Sequence, residues 1–177
     1  MWNYQTIQEN DVLIAAIKFL VKRAVNPYRL SIARGKGINR ESARKRIGEV
    51  IASLNIPPPV EQEEGQDIIG VSKTEWWQVE CKGSGAGKAQ TQRNSFDRAL
   101  ASVVTYYEDE TKELPRAYES CSNAQPYLGL ALPASPAYLK ELKKRVRQPL
   151  RKRLNLWVLL YEPESNSIRA VSPEDSY

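Results

Sequence analysis

Residues 9–24, ENDVLIAAIKFLVKRA, place apolar side chains at Leu13, Ala16, Ile17 and Leu20, the spacing that predicts an amphipathic helix. Asn26-Pro27 ends it, because the residue before a proline is pushed out of the helical region. A loop with Gly35 and Gly37 follows. Asn39 then stands where it can cap a second helix, RESARKRIGEVIASL, whose Ala43, Ile47, Val50, Ile51 and Leu54 form one stripe. Pro57-Pro58-Pro59 stops any helix there.

Beyond this point the pattern changes to that of strands. The acidic stretch EQEEGQ reads as a turn or edge before DIIGV, a short β-branched run, and SKTE connects it as a hairpin to WWQVECKG. In the second of these strands, alternation puts Trp77, Val79 and Cys81 on one face and Gln78, Glu80 and Lys82 on the other. A third helix is predicted in KAQTQRNSFDRALASVVTYYED from Gln92, Phe96, Ala99, Leu100, Val103 and Tyr107. The apolar strand YLGLALP comes next, then a basic helix from about Ser135, broken or bent near Pro149, and finally the strand NLWVLLYEP. Helices alternating with strands predict an α/β sheet sandwiched by helices.

Composition narrows the chemistry. A chain of 177 residues, 41% hydrophobic and 27% charged, suffices for one globular domain with a real core. No apolar run reaches membrane-spanning length, and the N-terminal residues lack the zones of a secretion signal, so the expectation is a cytoplasmic protein without a membrane partner. Two cysteines and no histidine exclude a four-thiolate zinc site, a disulfide framework and histidine-based triads. A metal, if used, is then a hard cation on oxygen ligands.

The net charge of +5 favours a polyanionic partner. Its densest segment, KELKKRVRQPLRKR from Lys140 to Arg153, has Glu141 as its one acid. Lys143, Lys144, Arg147 and Arg151 are candidates for phosphate contact, against the plainer reading of a solvated helix face.

Two chemistries compete for VECKGSGAGK, residues 79–88. A nucleotide-cradling Walker loop needs one more residue between its glycines and a Ser or Thr after the lysine, whereas Lys88 is followed by Ala89. Its strand would also be uniformly apolar, and this one carries Glu80 and Lys82. The other reading joins Asp67 to Glu80 and Lys82 through the hairpin. Two carboxylates in one pocket repel unless a cation lies between them, and a lysine beside them supplies positive charge for a phosphate. Those are the parts of metal-assisted phosphodiester hydrolysis.

On these residues the chain resembles the PD-(D/E)xK nuclease superfamily of restriction enzymes, junction resolvases and RecB-type nuclease domains, over about residues 61 to 162. The resemblance implies a restriction-endonuclease-like core at 60–165, a central mixed β-sheet flanked by helices, with the helices of residues 1–55 as an N-terminal extension within a single domain. It implies Asp67 and Glu80 as ligands of Mg²⁺ or Mn²⁺, with the backbone carbonyl of Cys81. Lys82 would position or activate the attacking water, and Gln92, with Phe96 one turn later, would support the site from the following helix. The family also tends to place an acid on its first helix. Of Glu9, Glu41 and Glu49, Glu9 shares the face of Leu13, Ala16 and Leu20, so it can point inward and is the candidate for a further metal ligand.

The chain departs from the pattern in having Gln66 before Asp67, where the family name implies Pro, and Phe96 where Tyr is usual. The expected partner is DNA, and a homodimer is expected from the family likeness alone. A non-catalytic nucleic-acid-binding or regulatory protein on the same fold is the alternative, with the helix bearing Arg40, Arg44, Lys45 and Arg46 as a recognition element or merely a solvated face. Trp77 and Trp157 read as core, Cys81 as a buried filler, and Tyr106-Tyr107 as a cover over the sheet.

Overall fold

A computed structural model describes residues 6–33, 39–84, 89–107, 116–121 and 123–177. It contains one seven-stranded mixed sheet with helices on both faces, the α/β architecture expected from the alternation of elements. In chain order the elements are α1 (Glu9–Lys22), β1 (Asn26–Ser31), α2 (Arg40–Ser53), β2 (Val60–Gln62), β3 (Ile68–Val71), β4 (Glu75–Cys81), α3 (Ala89–Thr105), a 3₁₀ turn (Arg116–Cys121), β5 (Gln125–Pro133), α4 (Pro136–Arg145), α5 (Gln148–Leu154), β6 (Leu156–Glu162) and β7 (Ser167–Val171). The strands lie in the order β2-β1-β3-β4-β5-β6-β7. β1, β3 and β4 are successively antiparallel, β5 and β6 continue parallel to β4 through helical crossovers, and β7 returns antiparallel.

Three of these strands are absent from the sequence pattern, the three-residue β2 falling where a turn or edge was expected. The segment read as a helix stop and a loop forms β1, whose start tolerates Pro27 because the pairing with β3 shifts register between Pro27 and Arg29. The short, partly exposed β7 carries Arg169 among its apolar residues and gives no clean alternation.

α1 explains how the N-terminal residues belong to the core. Val12 through Ile17 and Leu20 are all buried, so the helix is covered on nearly every side rather than along one stripe. It packs with α2 and with Ile68, Trp77, Val79, Cys81, Ala131 and Leu159 of the sheet. The other face of β5 and β6 is covered by Phe96, Ala99 and Val103 of α3 and by Tyr138 and Leu142 of α4.

α1 lies along the central strand in the opposite direction. Its fifteen positions from Glu9 to Arg23 span about 21 Å at the helical rise, close to the roughly 23 Å of β4 from Glu75 to Lys82. Each end of the helix therefore meets an end of the strand. At the start of β4, the Arg23 guanidinium pairs with both oxygens of Glu75 at 3.1 and 2.5 Å and lies over the rings of Trp77, Trp157 and Phe19. Trp77 donates its indole N–H to the same carboxylate at 2.7 Å. Among the described residues no helix is long and apolar enough to cross a membrane.

Candidate functional site

The other end of β4 gathers the acids. Ile68 pairs with Val79, so one step further along the antiparallel ladder Asp67 stands opposite Glu80, and both side chains share a face. An Oδ2 of Asp67 accepts the backbone N–H of Cys81 at 2.7 Å. Because the N–H of Lys82 turns to β5, bonding Ala131, the N–H and C=O of Cys81 both point to the β3 side, where Asp67 lies. The Cys81 thiol is on the opposite face, fully buried with Trp77 and Val79, and burial pushes its pKa well up, so it offers no thiolate.

Glu80 is 7% exposed although it lies on a central strand. That position removes the plain reading of a salt-bridged pair on an exposed edge strand. Its Oε2 accepts the Tyr106 hydroxyl at 2.7 Å from the end of α3. Burial first, and then the nearby negative charge of Glu80, raises the Asp67 carboxyl well above the usual range. Burial also raises Glu80, opposed by the Tyr106 hydrogen bond and by Lys82.

Lys82 follows the last residue of β4 and reaches Glu9 of α1, Nζ to Oε2 at 2.8 Å, with about a quarter of each side chain exposed. Burial pulls the ammonium pKa down, but Glu9, Asp67 and Glu80 together outweigh it and hold the group protonated. The approach of α1 depends on Gly83. A Cβ there would lie 2.3 Å from the carbonyl of Ile7 and 2.6 Å from the N–H of Glu9, so any side chain would drive the helix start away. Ile7 and Ser84 exchange backbone hydrogen bonds across this contact, and the Tyr138 hydroxyl of α4 donates to the Gly83 carbonyl at 2.9 Å.

One ammonium thus pairs with Glu9 and lies within electrostatic reach of two further carboxylates, Asp67 and Glu80. The second oxygens of Asp67 and Glu80 have no hydrogen-bond partner among the described residues, and neither is an atom sealed from solvent. Also among the described residues, no group of three or more His, Cys, Asp or Glu side chains is arranged to hold a metal ion. Such a donor set does not form a closed protein cage. It fits the habit of Mg²⁺, which takes one or two carboxylates and completes its shell with water and phosphate oxygens.

The remaining sequence candidates fare differently. Gln92 lies half-buried on the first turn of α3, one turn before Phe96, and among the described residues no hydrogen bond joins it to Asp67, Glu80 or Lys82. Glu41 and Glu49 of α2 are exposed. The basic segment is two helices, broken at Val146 and Arg147, with Pro149 in the first turn of α5. Lys143, Lys144 and Arg147 are exposed. They follow Tyr138, the first two about 8 to 9 Å further along α4 at the helical rise.

Arg151 requires a correction, since it is 1% exposed and cannot contact phosphates. Its guanidinium donates to the carbonyls of Ser172 and Asp175 and lies over the Tyr177 ring, so it clasps the C-terminal segment. The basic face of α2 is also occupied: Arg40 and Arg44 pair with Glu61, and Arg46 with Asp11. Lys88 of the Gly-rich stretch lies outside the described residues.

Sequence reasoning missed Tyr106 and Gly83 as parts of this site. The signal available was Gln78, an uncharged polar residue two positions before Glu80 on the same face of a strand. An inward-facing glutamine demands a partner, and here the partner is the backbone carbonyl of Tyr106 at 2.9 Å. No family model, curated protein or solved structure matches the chain.

Proposed function

We propose that the protein is a Mg²⁺-dependent endonuclease that hydrolyses DNA phosphodiester bonds, with the core arrangement of the PD-(D/E)xK superfamily. One observation carries this reading: Asp67 and Glu80 face each other across β3 and β4 with one oxygen of each available, and Lys82 stands beside them. The order of elements supports it, because an antiparallel run β1-β3-β4 followed by the α3 crossover to parallel β5 delivers both acids to one end of the sheet.

A Mg²⁺ ion held there supplies charge to polarise a phosphoryl oxygen and to acidify a water. Asp67 and Glu80 would hold it, and the Cys81 carbonyl is turned to the same side. The Lys82 ammonium faces the charge that develops on the phosphate, and Glu9 fixes its direction. Lys143, Lys144 and Arg147 provide exposed cations for the DNA backbone.

Supercoiled plasmid tests the reading. Nicking or linearisation that requires Mg²⁺ or Mn²⁺ and disappears in Asp67→Ala and Lys82→Ala proteins is the expected result. Cutting that persists in both variants overturns the assignment. The ion pair that engages Lys82 with Glu9 favours a second reading, a non-catalytic nucleic-acid-binding protein on this fold. DNA retardation in a gel without cleavage at any metal concentration would select it.

A further inference from the structure

We propose that Tyr106 is a positioning residue, whose hydroxyl fixes the Glu80 carboxylate so that its second oxygen faces the cation shared with Asp67. This rests on the metal-dependent reading of the site above. The hydrogen bond from Tyr106 to Oε2 of Glu80 is 2.7 Å long, in the short range of bonds to a charged acceptor. What makes it a positioning contact is that the tyrosine is held independently of the glutamate.

Gln78 donates its side-chain N–H to the backbone carbonyl of Tyr106 at 2.9 Å. Gln78 is itself held by Gln66 at 2.5 Å, and the carbonyl of Gln66 accepts from Gln62 at 2.6 Å. Gln78 and Glu80 are two residues apart on one face of β4, about 7 Å. The main chain of Tyr106 is therefore anchored over one of them and its hydroxyl reaches the other. A glutamate without this contact can turn about its side-chain torsions. With it, Oε2 is committed and Oε1 is left for a cation, the arrangement by which outer hydrogen bonds tune metal ligands.

The test is Mn²⁺ binding alone, measured by calorimetry without DNA, in the wild type, Tyr106→Phe and Val103→Ala. Val103 is buried in the same helix, in the apolar cluster with Phe96 and Ala99, and carries no polar group, so its truncation loosens α3 and keeps the Tyr106 hydroxyl. Tyr106→Phe is expected to weaken Mn²⁺ by roughly 10- to 100-fold, as loss of an outer-shell partner does. Val103→Ala is expected to lower the thermal midpoint and leave Mn²⁺ affinity within about twofold of wild type, since it changes packing alone. Wild-type binding with an unchanged affinity in Tyr106→Phe overturns the positioning role while the metal reading stands. Equal weakening in both variants also overturns it, since the effect then follows helix packing. Absence of Mn²⁺ binding in the wild type overturns the metal reading and this inference together.

Discussion

The two ends of β4 solve the same problem in opposite ways. Each meets an end of α1 through an ion pair, but with the charges exchanged: the helix cation Arg23 pairs with Glu75 of the strand, and the helix acid Glu9 pairs with Lys82 just after it. At the start of the strand one carboxylate faces one guanidinium, receives both of its donors and an indole N–H, and is walled by aromatic rings. At its end, three carboxylates share the charge of one ammonium, and two of them keep an oxygen without a partner among the described residues. A closed ion pair of the first kind holds structure together. An excess of acid of the second kind opposes folding, which is the tension expected of a functional site.

The largest difference should appear in catalysis. Asp67→Asn is expected to reduce metal-dependent plasmid cleavage by on the order of 100-fold or more, as removal of a charge-stabilising group does. Glu75→Gln, assayed at a temperature where it is folded, should cleave within a few-fold of wild type. Comparable losses in the two variants would remove the distinction between the ends.

Stability should respond in the reverse sense. Glu75→Ala leaves Arg23 without its acid among rings, and because that guanidinium is partly exposed the cost is about 1–3 kcal/mol by chemical denaturation. Asp67→Asn removes a disfavoured charge and should leave the metal-free protein as stable as wild type or more so.

The pH dependence sharpens the same contrast. Asp67 and Glu80 have pKa values raised by burial, so the folded state holds their protons more tightly than the unfolded state. Their contribution to stability is complete below about pH 4, the unfolded value, and is lost as pH rises through the raised native values. Thermal midpoints of metal-free protein should fall over that window, less steeply in Asp67→Asn. A slope unchanged in Asp67→Asn would contradict the electrostatics described for the pair.

The smallest effect concerns α4. Lys143→Ala is expected to weaken DNA binding uniformly across sequences and to lower the salt slope of the affinity by about one unit. Lys152, which pairs with Glu174 across the C-terminal clasp, should change that slope less.

How much of this was legible in the sequence follows from the range of the interactions. Helical spacing located α1, α2 and α3 within a few residues, and the Asn39 cap is present, its side chain accepting from the Ser42 N–H. Alternation in β4 placed Glu80 and Lys82 on one face and the hairpin brought Asp67 towards them, because a hairpin ladder is set locally. Glu9 could be aimed inward from its stripe alone. The positions that escaped depend on distant segments. Arg151 looks like any cation in a basic run until the C-terminal residues fold over it. Tyr106 gains its role only through the path of α3 across β4, and β1 needed a register shift to admit Pro27.

The central claim is that a divalent cation belongs between Asp67 and Glu80. Crystals soaked in Mn²⁺ test it directly through anomalous scattering. The account predicts a peak within coordination distance of one oxygen from each carboxylate, absent in Asp67→Asn. No peak at the end of β4, or one that persists in that variant, would contradict it.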